Sequence, residues 1–138
     1  MKKNLLAFLT AILFATFSFA ATPDVVLKSF AAKYPTATGA VWTGVQANYN
    51  VDFKMGGQVM KGLFASTGTW MNTEFSVAAS SLPAAVVASG QKVLNGGVII
   101  GSFKVDDAIQ GQYFRVVLKA ANGVEKTGKI KASGEILV

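Results

Sequence analysis

The chain has 138 residues, with 13 Lys and Arg against 7 Asp and Glu, which gives room for one domain or two small halves sharing a core and a mild basic bias. It contains no Cys and no His, which excludes disulfide staples, Ser-His-Asp or Cys-His nucleophilic machinery and the usual zinc sites. Acid–base chemistry would have to rest on carboxylates or lysines.

Met1–Lys2–Lys3 forms a positive start, and Leu5 to Phe19 is almost unbroken apolar sequence. Ser18–Phe19–Ala20 then supplies the small residues of a cleavage site, so residues 1–20 are expected to be a signal peptide cut after Ala20. The run is shorter than the roughly 20 residues of a spanning helix. The expectation is therefore a periplasmic or secreted protein with no stable membrane insertion once the leader is removed. Lys2 and Lys3 belong to the leader, and the rest of the chain keeps a surplus of four positive charges.

Thr22–Pro23–Asp24 predicts a helix start, with a hydroxyl cap, Pro at the first helical position and an acid in the first turn. Val26, Leu27, Phe30, Ala31 and Tyr34 share a face at helical spacing, and Pro35 ends the helix. Ala40 to Gln46 reads as an opening strand. Asn48 to Met55 alternates, with Tyr49, Val51, Phe53 and Met55 on one side and Asn48, Asn50, Asp52 and Lys54 on the other. Gly56–Gly57 is a tight turn into a strand whose inward residues are Met60, Gly62 and Phe64. Ser66–Thr67–Gly68 turns the chain again, into Trp70–Met71.

The plan then recurs, 64 to 66 positions on in its strands. Ser81–Leu82–Pro83 starts a second helix with Ala84, Val87, Ala88 and Val93–Leu94 on its apolar side, and Asn95–Gly96–Gly97 ends it. Val98 to Val105 is the next strand. Phe114, Val116 and Leu118 face the core while Tyr113, Arg115, Val117 and Lys119 face away. Asn122–Gly123 marks a hairpin. Gly128 and Ile130 then point inward against Thr127, Lys129 and Lys131, and Glu135 to Val138 closes the chain. The fold class predicted is α+β: one helix plus a four-stranded antiparallel sheet, occurring in tandem as residues 21–78 and 79–138, with helices on one face only.

Val26–Leu27–Lys28–Ser29–Phe30–Ala31–Ala32–Lys33–Tyr34–Pro35, Val41–Trp42, Tyr49 to Phe53, Phe64 with its Ser-Thr-Gly turn, Glu74 and Ser81 to Val86 follow one another in order. Together they resemble the PepSY-like exported proteins of Bacteroidetes with a beta-lactamase-inhibitor-protein-like (BLIP-like) fold, over nearly the whole chain after the leader. The resemblance implies a tandem α+β repeat, export and no enzymatic activity. In two respects the chain departs from the pattern. Asn95–Gly96 stands where a second Tyr-Pro pair would end the second helix, which weakens exact repeat symmetry. The second half is basic where many relatives are acidic, which leaves any shared ligand open.

Candidate chemistry is sparse. Asp106–Asp107 is the one adjacent acidic pair; its functional reading is a calcium or glycosidase-type site, its bland one a solvated loop before Gly111. Neighbours on a strand point to opposite faces, so the two cannot converge on one substrate. No cofactor and no metal site is predicted, and no nucleic-acid motif is present. Arg115, Lys119, Lys129 and Lys131, with Tyr113 beside them, project from one face; they read as an ordinary charged surface or as a patch for an acidic protein or peptide. Trp42 has opposite parity to Val41, Thr43 and Val45. Facing out it would anchor an interface; facing in it would cover a helix or a sheet edge. The function expected is a non-catalytic binding protein, an enzyme inhibitor in one version, with a carrier or sensor of a small amphiphile as the alternative.

Overall fold

The computed structural model describes residues 21–138; the expected leader, residues 1–20, lies outside them. The first helix, α1, covers Asp24–Lys33. Pro23 occupies the cap position itself, one residue later than the sequence suggested, with extended backbone and no side-chain cap bond. Its carbonyl accepts from the Val26 and Leu27 amides at 2.9 and 3.1 Å. The second helix, α2, covers Ala84–Leu94 and begins on Pro83 in the same manner. Asn95 closes it in the left-handed conformation, as the Asn-Gly-Gly signal required.

Four strands follow each helix: β1 (Thr38–Val45), β2 (Asn48–Met55), β3 (Gln58–Ala65) and β4 (Trp70–Ser76), then β5 (Val98–Asp107), β6 (Gly111–Lys119), β7 (Glu125–Ile130) and β8 (Ile136–Leu137). A short 3-10 turn, Ala79–Ser81, precedes α2. The strands do not form two separate sheets. β4 pairs with β5 from Asn72↔Asp107 to Ser76↔Phe103, so all eight make one antiparallel sheet in chain order.

Register carries the facing from strand to strand. Val51 and Phe53 pair with Gly62 and Met60, Gly62 with Thr73, Thr73 with Asp106, Lys104 with Phe114, and Phe114 with Ile130. These positions share the side on which both helices lie. Under α1 the core is Val26, Phe30, Val51, Phe53 and Phe64; under α2 it is Leu82, Val86, Val116, Leu118 and Ile130. The helix faces are narrower than expected. Leu27 and Ala31 are exposed, and in α2 Val86 and Gly90 are buried whereas Ala84 and Ala88 lie in solvent.

The two cores are filled differently. Phe30 sits edge-on to Phe53 and Trp42, with ring centroids 5.0 and 5.3 Å away, and contacts Phe64 at 6.0 Å. Sixty positions on, α2 has Gly90, whose missing side chain is replaced by Leu118 and Ile130 reaching up from the sheet. Both helices receive a hairpin turn against the same surface. Gly68 in the β3–β4 turn lies on Ser29 and Val25, and Gly134 in the β7–β8 turn lies on Ser89 and Ala85. A Cβ at Gly68 would stand 2.8 Å from Ser29 Oγ, and one at Gly134 3.0 Å from Ser89 Oγ. Ser89 Oγ also donates to the Gly134 carbonyl at 2.6 Å.

Candidate binding face and its relatives

The side of the sheet away from the helices has no covering element among the described residues. Alternation places Val41, Thr43 and Val45 of β1 there, with Asn50, Asp52 and Lys54 of β2 and Lys61 of β3. Glu74 of β4, Phe103 and Val105 of β5, Tyr113, Arg115, Val117 and Lys119 of β6, and Lys129 of β7 continue the face. Trp42 is on the other side. It is half-buried against Phe30 and Phe64 at the outer strand of the first core, so it covers the edge of the helix–sheet contact.

At the middle of the open face lies a fixed polar and aromatic group. Arg115 Nε donates to Glu74 Oε2 at 3.0 Å and Nη2 to Oε1 at 2.9 Å, a two-pronged contact that reaches diagonally across β5. The guanidinium stacks on Phe103, 4.0 Å from the ring centroid. The planar fork suits both the carboxylate and the ring, where an ammonium would serve only one at a time. Val105 and Tyr113, opposite each other in register, lie beside this group and are 2% and 5% exposed although no helix covers them. Their burial comes from neighbouring side chains; Lys129 Nζ approaches the Tyr113 ring to 5.6 Å. Burial raises the Tyr113 phenol above its ordinary value of 10.0, Asp107 and Glu74 push it the same way, and Arg115 opposes them.

Arg115, Lys119 and Lys129 lie on the open face by strand register, Lys131 directly follows the end of β7, and three of the four have acidic partners. Arg115 holds Glu74, Lys131 Nζ is 3.0 Å from Glu135 and Lys119 Nζ is 3.9 Å from Glu125. Lys61 approaches Asp52 at 3.9 Å. Lys54 and Lys129 have no carboxylate within ion-pair distance among the described residues. The surface is a lattice of matched charges with a slight positive remainder. From sequence Glu74 entered only through the family resemblance, and Phe103 and Val105 were not singled out as site residues; Phe103 faces Arg115 through the β5–β6 register, and Glu74 reaches it through the β4–β5 register, which spans α2.

The helix side differs in character. Tyr34 shares a 2.6 Å hydrogen bond with Thr73, whose oxygen also accepts from Trp70 Nε1 at 2.8 Å, and Lys33 Nζ lies 3.7 Å from the Trp70 ring centroid. Burial raises the Tyr34 phenol above 10.0, and the Thr73 hydrogen bond draws it partly back. A groove of about 180 Å³ opens beside Tyr34, between Met60, Thr73, Lys104 and Asp106. A more apolar one of about 420 Å³ lies at the sheet end near Trp70, Met71 and Ile109.

Asp106 and Asp107 point to opposite faces, and Asp107 Oδ1 accepts from the Ile109 and Gln110 amides at 2.9 and 3.0 Å, closing the β5–β6 turn. Among the described residues no three acidic side chains gather as a metal site, and no helix is long and apolar enough to cross a membrane.

No family model matches the chain, and no curated protein matches it. Solved structures do. A BLIP-like protein from Bacteroides fragilis is 18% identical, with a TM-score of 0.75 over 88% of this chain and 86% of that one. A DUF2874 family protein from Bacteroides uniformis is 23% identical, with a TM-score of 0.75 over 86% of this chain and 88% of that one. A protein from Bacteroides eggerthii named as a candidate periplasmic protein is also 23% identical, with a TM-score of 0.73 over 86% and 87%. The chain therefore has the BLIP-like fold, two helices on one side of an eight-stranded antiparallel sheet, in the form seen in these Bacteroides proteins.

Proposed function

We propose that this is an exported, non-catalytic binding protein, periplasmic or secreted, whose helix-free sheet face takes a protein or peptide. The observation that carries this reading is the Glu74–Arg115–Phe103 group on Tyr113 and Val105, an immobilised aromatic and guanidinium surface on the uncovered side. Arginine and aromatic side chains held in place lose little entropy when a partner covers them, which is why interface hot spots favour them. Lys54 and Lys129, left without acidic partners, favour a partner of acidic character. Inhibition of an extracytoplasmic enzyme is the version of this role that the BLIP-like fold suggests; fold likeness alone does not carry an activity across.

We also read residues 21–78 and 79–138 as two versions of one unit. The recurring helix start on Pro23 and Pro83 supports this, as do the paired turn contacts Gly68–Ser29 and Gly134–Ser89. The PepSY side of the resemblance has its support in the sequence phrases alone.

The second reading, carriage of a small amphiphile, is favoured by the apolar groove near Ile109. That groove is open to solvent, and the space between helices and sheet is filled by the Phe30, Phe53, Phe64, Leu118 and Ile130 side chains. A protein partner remains the better fit.

Capture from the native envelope fraction tests the reading. A tagged wild-type protein is compared with Phe103→Lys/Lys129→Glu on the open face and with Lys28→Glu on the outer side of α1. Retention by the helix variant and loss by the face variant is the expected result. Equal retention by both would overturn the open-face reading.

A further inference from the structure

We infer that two copies of this chain pair edge to edge through β1, antiparallel, with Thr43 on the two-fold axis. β1 is the outer strand of the sheet, eight residues long, and no other strand pairs with its far side among the described residues. An outer strand leaves a row of amide and carbonyl groups without partners, and proteins ordinarily blunt such a row with charges, proline or a very short strand. β8, the opposite edge, is blunted in this way: it has two residues. β1 contains no charged residue and no proline, and Val41 and Val45 are 62% and 42% exposed. Its one protective device is the irregularity between Thr38 and Val41, which leaves Val41–Val45 in regular register with β2.

Those five residues are complementary to themselves. With Thr43 opposite its own copy, Val41 lies opposite Val45 of the second copy, and Val45 opposite Val41, on the open face. β-Branched pairs of this kind stabilise antiparallel strands. On the helix side, Trp42 comes opposite Gly44. Around Gly44 nothing lies within 4 Å of where a side chain would begin, so each copy offers a slot where the other has an indole. Each molecule carries a positive surplus, and β1 is an edge at which two copies meet without opposing like charges. The two-fold axis stands perpendicular to the sheet, so all four helices fall on one side and the open faces join into a double-width surface. This arrangement does not depend on the identity of any other partner.

Sedimentation velocity of the exported protein across a micromolar concentration series tests it. The wild type is expected to be a dimer. Thr43→Lys and Thr43→Glu, each placing two like charges on the axis at an exposed position, are expected to be monomers with unchanged circular dichroism. An equal mixture of the two is expected to restore the dimer. Gly44→Leu, which fills the slot facing Trp42, should weaken association at least tenfold. A monomeric wild type, including one that instead takes up a strand from a different protein, overturns the inference. So does a dimer indifferent to both Thr43→Lys and Gly44→Leu.

Discussion

Arg115 Nη2 lies 2.9 Å from Glu74 Oε1, and this contact joins a strand that precedes α2 to a strand that follows it. The two side chains are only about a quarter exposed, at 26% and 25%. They lie between the surface pairs that contribute almost nothing and the buried pairs whose rupture strands a charge. Replacing Glu74 by Gln, or Arg115 by Gln, is expected to lower stability by about 1–2 kcal/mol, and the double replacement by less than the sum. Urea unfolding of the four proteins measures the coupling directly, and added salt should reduce it only in part. Strict additivity would mean that the pair contributes nothing.

The turn glycines separate two kinds of cost. Gly68, Gly134 and Gly111 all have positive φ, but an added Cβ at Gly111 meets nothing within 4 Å. Gly111→Ala should therefore cost about 1 kcal/mol, the strain of left-handed backbone alone. Gly68→Ala adds approaches of 2.8 Å to Ser29 Oγ and 2.9 Å to the Val25 carbonyl, and is expected to cost about 2–3 kcal/mol. Gly134→Ala, with looser approaches of 3.0 and 3.1 Å, should fall between them. Thermal midpoints of the three variants give the order, and the inverse order would contradict the packing of turns on helices.

Gly90 offers the opposite outcome. It lies inside α2, and a Cβ there would touch Leu118 and Ile130 at 3.6 and 3.7 Å, which is ordinary contact. Gly90→Ala should stabilise the protein by about 0.5–1 kcal/mol through helix propensity and lower unfolded-state entropy. In α1, by contrast, Phe30→Ala removes a ring that touches Phe53, Phe64, Trp42 and Tyr34, and should cost about 3–4 kcal/mol.

Tyr34 and Tyr113 both titrate above their ordinary 10.0 in the folded chain, chiefly because burial disfavours the phenolate. A folded pKa above the unfolded one contributes stability that is complete below pH 10.0 and is lost as pH rises through the folded values. Urea midpoints should therefore be flat on the neutral side and fall above about pH 10. The Tyr34→Phe/Tyr113→Phe protein should lose much of that alkaline slope. A slope unchanged by the double replacement would assign it to other groups.

The sequence made the facing of β2, β3, β6 and β7 readable, because two-residue alternation is local and, Tyr113 of β6 apart, each of these strands buries one side only. The turn at Gly56–Gly57 and the helix end at Asn95 were readable for the same reason: their residues impose backbone conformation on the spot. The merging of eight strands into one sheet was not readable, since the β4–β5 pairing joins segments separated by α2. The Glu74–Arg115 contact was hidden with it. Val105 and Tyr113 resisted for a different reason: they are buried on a face that no helix covers, which no periodicity records. The helix faces were overestimated at Ala31, Ala84 and Ala88 because alanine looks apolar in sequence yet has little surface to bury.

Chain-order pairing of the strands has a consequence for how the molecule is made. Every sheet neighbour of a strand is the next or previous strand along the chain, so most ladders close over short hairpin loops. Loop closure of that kind sacrifices little entropy and keeps contact order low for a protein so rich in strand. One ladder is the exception: Ser76 meets Phe103 only after the whole of α2 has intervened. Nucleation can therefore begin separately on either side of that seam, and zipping β4 to β5 should set the pace of reaching the native state.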